Sequence, residues 1–186
     1  MSRLTIEATA LAGVMRVRRE RLCDGRGAFE RLFCAEELCV AGWLRPVAQV
    51  NRSVTVRRGT VRGLHYQWAP HAEMKLVSCM SGEVWDVAVD LRAGSPTFLR
   101  WHAERLSADN GVALLVPEGC AHGFQTLSDD AELLYCHSAP YVAAAEGGVH
   151  PQDPRLAIAW PLPVEGLSAR DAAHAPIGAD FRGVDT

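Results

Sequence analysis

The sequence has no strong charge of either sign. Nineteen lysines and arginines stand against 22 aspartates and glutamates, a formal net charge of -3. That balance gives no electrostatic footprint for a nucleic-acid backbone, and no such partner is expected; it leaves room for a local basic pocket for a phosphorylated small molecule. No apolar run approaches the length of a membrane span. The mildly apolar stretch from Ala8 to Met15 follows Glu7 and has no basic region before it, so it reads as mature protein and not as a secretion signal. The six cysteines are scattered and include no CxxC pair. A chain of 186 residues can bury a core without staples. They therefore read as free thiols of a cytoplasmic protein. Low-complexity tracts, linkers and solenoid repeats are also missing, so residues 1–186 read as one domain.

What the sequence does contain is short alternating runs closed by turn signals. Residues 47–51, 60–67, 75–80, 83–90, 112–116 and 131–137 are predicted strands. Ser81-Gly82 joins two of them at hairpin spacing. Residues 92–96 and 107–111 read as longer turns. A short helix is predicted over 34–40, and another after Ser168, which has the look of an N-cap. Short strands at even spacing give a mainly β sandwich or barrel. Parity puts Gly63, His65 and Gln67 on one face and Arg62, Leu64 and Tyr66 on the other. Leu133, Tyr135 and His137 share a face, as do Lys75, Val77 and Cys79. Arg62 and His65 serve one site only if the strand bulges near Gly63 or Arg62 reaches round a rim.

Chemistry-bearing residues concentrate in Arg62-Gly63-Leu64-His65-Tyr66-Gln67, in Lys75-Leu76-Val77, and in the run from Gly82 to Asp90. Pro117-Glu118-Gly119-Cys120-Ala121-His122 matches the second cupin motif, in which a Pro-x-Gly turn sets a histidine on an inward strand. A metal cupin also wants His-x-His, and the first motif here is His65-Tyr66-Gln67. Gln is a poor substitute for imidazole toward a first-row metal. A metal-dependent oxygenase or isomerase using His65, Glu73 and His122 stays as the alternative.

These motifs, with Ser95-Pro96-Thr97-Phe98, the stretch from Asp153 to Pro161 and Leu167-Ser168-Ala169-Arg170-Asp171, resemble the dTDP-4-dehydrorhamnose 3,5-epimerase family in order from about Asp24 to Asp171. The resemblance implies a cupin-type double-stranded β-helix (jelly roll) with a few short helices. It also implies a homodimer in which an N-terminal segment could be exchanged, and no metal or organic cofactor. The implied substrate is a nucleotide-linked 4-keto-6-deoxyhexose. Its ketone acidifies the hydrogens on C3 and C5, so a base can remove one to give an enolate, and reprotonation from the other face inverts the centre. One base and one acid can serve either carbon, so C3, C5 or both remain open.

His65 suits the base, because imidazole titrates nearest neutrality. The family pattern pairs it with the aspartate at Asp171 and gives the proton donor's place to Tyr135, while Lys75 suits stabilisation of the oxyanion. Arg62, with Arg26 and His122, would hold the diphosphate. Gln67, Asn51 and Tyr141 complete the expected substrate contacts. Outside the motifs each has a plainer use: a core histidine, a helix-start charge, a strand aromatic, an edge lysine. Asp86 is given a lesser role, lining the pocket or meeting a polar partner. His71, His102, His137, His150 and His174 are read as surface or structural.

The sequence departs from the family at Ala28 and Pro140, where base-stacking aromatics are expected, and at Glu73-Met74, where Gln-Gly or Gln-Ala is usual. The proton chemistry is then kept while the nucleotide preference shifts, unless Phe29, Trp68 or Tyr141 restacks the same base. A domain that binds a sugar nucleotide without catalysis is the third possibility; the full set of His65, Lys75, Tyr135 and Asp171 argues against it.

Overall fold

The computed structural model describes residues 2–186. They hold thirteen strands: β1 (Leu4–Ala8), β2 (Met15–Arg19), β3 (Arg21–Asp24), β4 (Gly27–Glu30), β5 (Gln49–Thr55), β6 (Val61–Gln67), β7 (Lys75–Ser81), β8 (Glu83–Asp90), β9 (Trp101–Ser107), β10 (Val112–Val116), β11 (Cys120–Thr126), β12 (Ala131–His137) and β13 (Glu146–Gly148). The helices α1 (Ala35–Leu38) and α2 (Ala169–Ala172) are one turn each. One sheet runs β1-β2-β10-β7-β12-β5 and the other β13-β6-β11-β8-β9, with β3 and β4 as a separate hairpin. Neighbouring strands pair antiparallel throughout, giving the cupin-type jelly roll expected from the sequence.

Strand β10 shows why the sheets stack. Its sequence is apolar at every position, and parity sends the residues both ways. Val112, Leu114 and Val116 enter the core between the sheets, with Val77 and Leu133 from one sheet and Val84, Ala88 and Phe124 from the other. Ala113 and Leu115 point outward, where Leu38 and Trp43 cover them. The outer face of the five-stranded sheet is covered by the C-terminal segment, through Val149, Leu156 and Val184 packed on Leu64, Val87 and Val89.

The Ser81-Gly82 turn is not a hairpin. β7 pairs with β10 and β12, whereas β8 pairs with β11 and β9, so the turn carries the chain from one sheet to the other. Gly82 allows this corner at φ +68°. The strand predicted over 47–51 runs instead over Gln49–Thr55, because it must match the length of β12, its neighbour in the sheet. The helix predicted over 34–40 is the single turn α1 followed by a 3-10 turn at Cys39–Ala41. All six cysteines are unpaired.

β6 carries the bulge that the site requires. His122 faces His65 and Phe124 faces Arg62, so β6 spends one residue more than β11 over this interval. Leu64 and Tyr66 still join the outer cluster, and both Arg62 and His65 reach the inner cavity. Gly63 sits there at φ +118°, and a Cβ on it would lie 2.6 Å from Gly123 Cα and 2.8 Å from the His122 carbonyl oxygen. Both obstacles are backbone and cannot rotate away. Gly63→Ala is therefore expected to destabilise the fold by on the order of 3 kcal/mol, read as a lower midpoint in urea unfolding.

Candidate active site

A cavity of about 480 Å³ opens between the two sheets. The five-stranded sheet supplies Arg62, His65 and Gln67 from β6 and His122 from β11. The facing wall carries Asn51 from β5, Lys75 from β7 and Tyr135 from β12. Tyr141 and Asp171 complete the lining from the connections beyond. Nine of the ten residues singled out in the sequence thus meet in one place. Arg26 does not. It stands at the tip of the β3–β4 hairpin, paired with Asp24 and exposed, because that hairpin projects away from both sheets of its own chain.

Asp171 ties three things together. Ser168 caps α2 by accepting from the Asp171 amide at 3.0 Å, which fixes where the aspartate points. Its Oδ1 lies 2.8 Å from His65 Nε2, and its Oδ2 accepts from the Gly63 amide at 3.3 Å. One carboxylate therefore orients the imidazole and holds the bulge that presents it. Arg170 Nη2 lies alongside, 3.3 Å from His65 Nε2. The shorter contact to the carboxylate takes the Nε2 proton and leaves the lone pair on Nδ1. Burial lowers the His65 pKa below the ordinary imidazole value, with Asp171 pulling the other way. Burial would raise Asp171, but the bonds from His65, Gly63 and Ser168 hold it below the usual carboxylate range.

Tyr135 faces this dyad from the other sheet. Its hydroxyl is 3.3 Å from Ser53 Oγ, and burial raises the phenol's pKa, so it stays a proton donor. His122 lies deep, edge-on to the Tyr135 ring at 5.9 Å between centroids, with its Nε2 2.8 Å from Asp86. Asp86 has met a polar partner, as its place between Val84 and Ala88 allowed. Burial raises its pKa against the pull of His122.

The metal set weighed from the sequence does not assemble. Glu73 is committed to His137 and Lys75, and His122 to Asp86. Among the described residues the donors that lie within 4.8 Å of one another are those of His65, Asp171 and His174. A cation there would meet the Arg170 guanidinium, so this set is a poor cradle for one.

Comparison with known proteins settles the lineage. The dTDP-4-dehydrorhamnose 3,5-epimerase family model matches residues 8–178. This chain belongs to that family. A dTDP-4-dehydrorhamnose 3,5-epimerase of Streptomyces griseus is 47% identical over 154 residues, covering 82% of this chain and 76% of the relative. A dTDP-4-dehydrorhamnose 3-epimerase of Streptomyces niveus is 41% identical over 169 residues, covering 90% and 81%. The crystal structure of a dTDP-6-deoxy-D-glucose-3,5-epimerase from Legionella pneumophila Philadelphia 1, in complex with dTDP-4-keto-L-rhamnose, superposes with a TM-score of 0.90 at 37% identity, covering 98% of this chain and 99% of that one.

Within this epimerase-family chain, two histidines beside the catalytic set escaped the sequence reading. His137 is not on the surface: it lines the cavity, its Nδ1 2.8 Å from Glu73 Oε2. Its shared face with Tyr135 was the signal. His174 packs edge-on to His65 with ring centroids 6.3 Å apart, and no periodicity marked it because it follows α2 in a loop. Of the departures from the family, Pro140 lies beside the cavity, its carbonyl accepting from Gln67, while Ala28 sits on the projecting hairpin.

Proposed function

We propose that this chain epimerises a nucleoside-diphosphate-linked 4-keto-6-deoxyhexose at C3, at C5 or at both, by removing and returning a proton through an enolate. The observation that carries it is the carboxylate-backed imidazole of His65 on one wall of a cavity whose facing wall holds Tyr135 and Lys75. His65 takes the hydrogen beside the ketone, with Asp171 stabilising the imidazolium that forms. Lys75 offers positive charge to the enolate oxygen. Tyr135 returns a proton from the opposite side. Arg62, Gln67, Asn51, Tyr141 and His122 are read as substrate contacts.

The test is solvent deuterium incorporation across a panel of nucleotide-linked 4-keto-6-deoxyhexoses, including thymidine, uridine and guanosine diphosphate forms. Label at C3, at C5 or at both identifies the centre. No incorporation into any of them would overturn the reading. Tyr141 is a half-exposed ring lining the cavity, anchored by its hydroxyl to Glu146 at 2.9 Å, and we read it as the group that would restack a base where Pro140 has lost one. The panel shows which base is kept.

The same assay reads the dyad through pH. The base works only when neutral, so kcat/KM falls as pH drops through its pKa, and burial sets that acid limb below the ordinary imidazole value. Asp171→Asn removes the partner that favours the charged ring. The limb is expected to move to still lower pH, while the plateau drops about 10- to 100-fold because the imidazolium loses its stabiliser.

We also read residues 1–186 as one domain acting in the cytoplasm as half of a homodimer. Among the described residues no helix is long and apolar enough to cross a membrane. The projecting β3–β4 hairpin, with Phe29 65% exposed, would reach a second copy and bring Arg26 to its cavity. A monomer by sedimentation velocity would sink the dimer.

A further inference from the structure

Lys75 is the member of the set whose position is least secure by its own chemistry. A four-carbon stem with a point charge has many rotamers, and an ammonium that stabilises an enolate must not wander. Here its side chain is 8% exposed, and its Nζ makes two polar contacts: Glu73 Oε1 at 3.2 Å and the His65 carbonyl oxygen at 3.2 Å. An ammonium has three protons to donate, so one is left for a ligand oxygen.

Glu73 is itself held. Its second oxygen accepts from His137 Nδ1 at 2.8 Å, and the other ring nitrogen, Nε2, lies 3.3 Å from the Asn51 amide nitrogen. With that amide donating to Nε2, the imidazole is the tautomer that donates from Nδ1 to the carboxylate. Its ring stacks on Tyr135 at 6.0 Å and 24°. Burial works against a charged Glu73, yet the His137 bond and the Lys75 charge keep its pKa below the usual range. The chain of contacts runs from Asn51 through His137, Glu73 and Lys75 to the backbone of His65, from one wall of the cavity to the other.

We infer that Glu73 and His137 are positioning residues that lock the Lys75 ammonium toward the cavity, and so set the strength of the oxyanion step. This rests on the proposed enolate chemistry. It gives a use to the carboxylate that stands where the family usually has glutamine, and to a histidine that the catalytic set leaves idle.

The experiment is steady-state deuterium exchange on the substrate that the panel identifies. Glu73→Gln is expected to lower kcat about 10- to 100-fold with KM changed less than about threefold, since the loss falls on the transition state. Glu73→Asp should recover some of the lost kcat, and His137→Leu should lose less than Glu73→Gln. The deciding measurement is a cycle with Lys75→Gln. In that background Glu73→Gln should cost little more, because the group it positions is gone. Losses that multiply independently, or wild-type kcat in Glu73→Gln, would overturn the inference. If Glu73→Gln does not fold, the His137→Leu and Lys75→Gln pair makes the same cycle. Wild-type protein without exchange on any substrate sinks the underlying reading, whereas an active wild type with independent losses sinks only this one.

Discussion

His65→Ala is expected to abolish deuterium exchange at the sugar carbon, with kcat down by about 10³- to 10⁴-fold. A positioned general base contributes roughly 10²- to 10⁴-fold. The upper end of that range applies because nothing else on that wall can take over. Gln67 is not basic, and Arg62 and Arg170 are permanently charged. His122 is occupied by Asp86, and His174 is outside the cavity lining, its ring in edge contact with that of His65. The fold should survive. His65 is partly exposed, and Asp171 keeps its bonds to Gly63 and to the Ser168 cap. Circular dichroism and binding of the nucleoside diphosphate separate lost chemistry from lost structure. Exchange at near-wild-type rate in a folded variant would remove His65 from its role.

Tyr135→Phe should uncouple proton washout from inversion. The base can still remove the proton and exchange it, so label should continue to enter the substrate. Without the phenol on the facing wall, protons return only from the side they left. Inversion is therefore expected to fall by about 10²- to 10³-fold, while washout falls far less. The hydroxyl sits in a buried setting beside Ser53, so the aromatic bulk is kept and little else moves. Combined mass spectrometry and NMR of the recovered sugar measure both rates on one sample. Equal loss of both would mean that Tyr135 acts before the enolate forms.

The regions of the fold visible in the sequence were those where one side chain decides one face. Strands β8, β10 and β12 were marked by their runs of Val, Leu and Ala between turn residues, and their bounds match. Strands β2 and β9 were hidden by charge. Arg16, Glu104 and His102 look like solvated residues in isolation, yet Arg16 Nε donates to Glu104 at 2.9 Å and His102 lies 2.8 Å from the same carboxylate. A pairing across 88 positions has no local trace. The Ser81-Gly82 turn was visible as a turn but not as a corner, because sheet membership depends on partners far along the chain. At the site, the bulge could be demanded from Arg62 and His65 being three apart. Glu73 and His137 could not be joined, because their neighbourhood comes from the pairing of β7 with β12.

The C-terminal segment both roofs the outer face of the five-stranded sheet and delivers Asp171 to His65. A ribosome releases that segment after every strand of the sandwich has been made. Until it emerges, the imidazole on β6 has no counter-charge and the apolar face of Leu64, Val87 and Val89 has no cover. The chain beyond β13 thus ties completion of the fold to arrival of the counter-charge: losing it would strip the dyad and bare that apolar face at once.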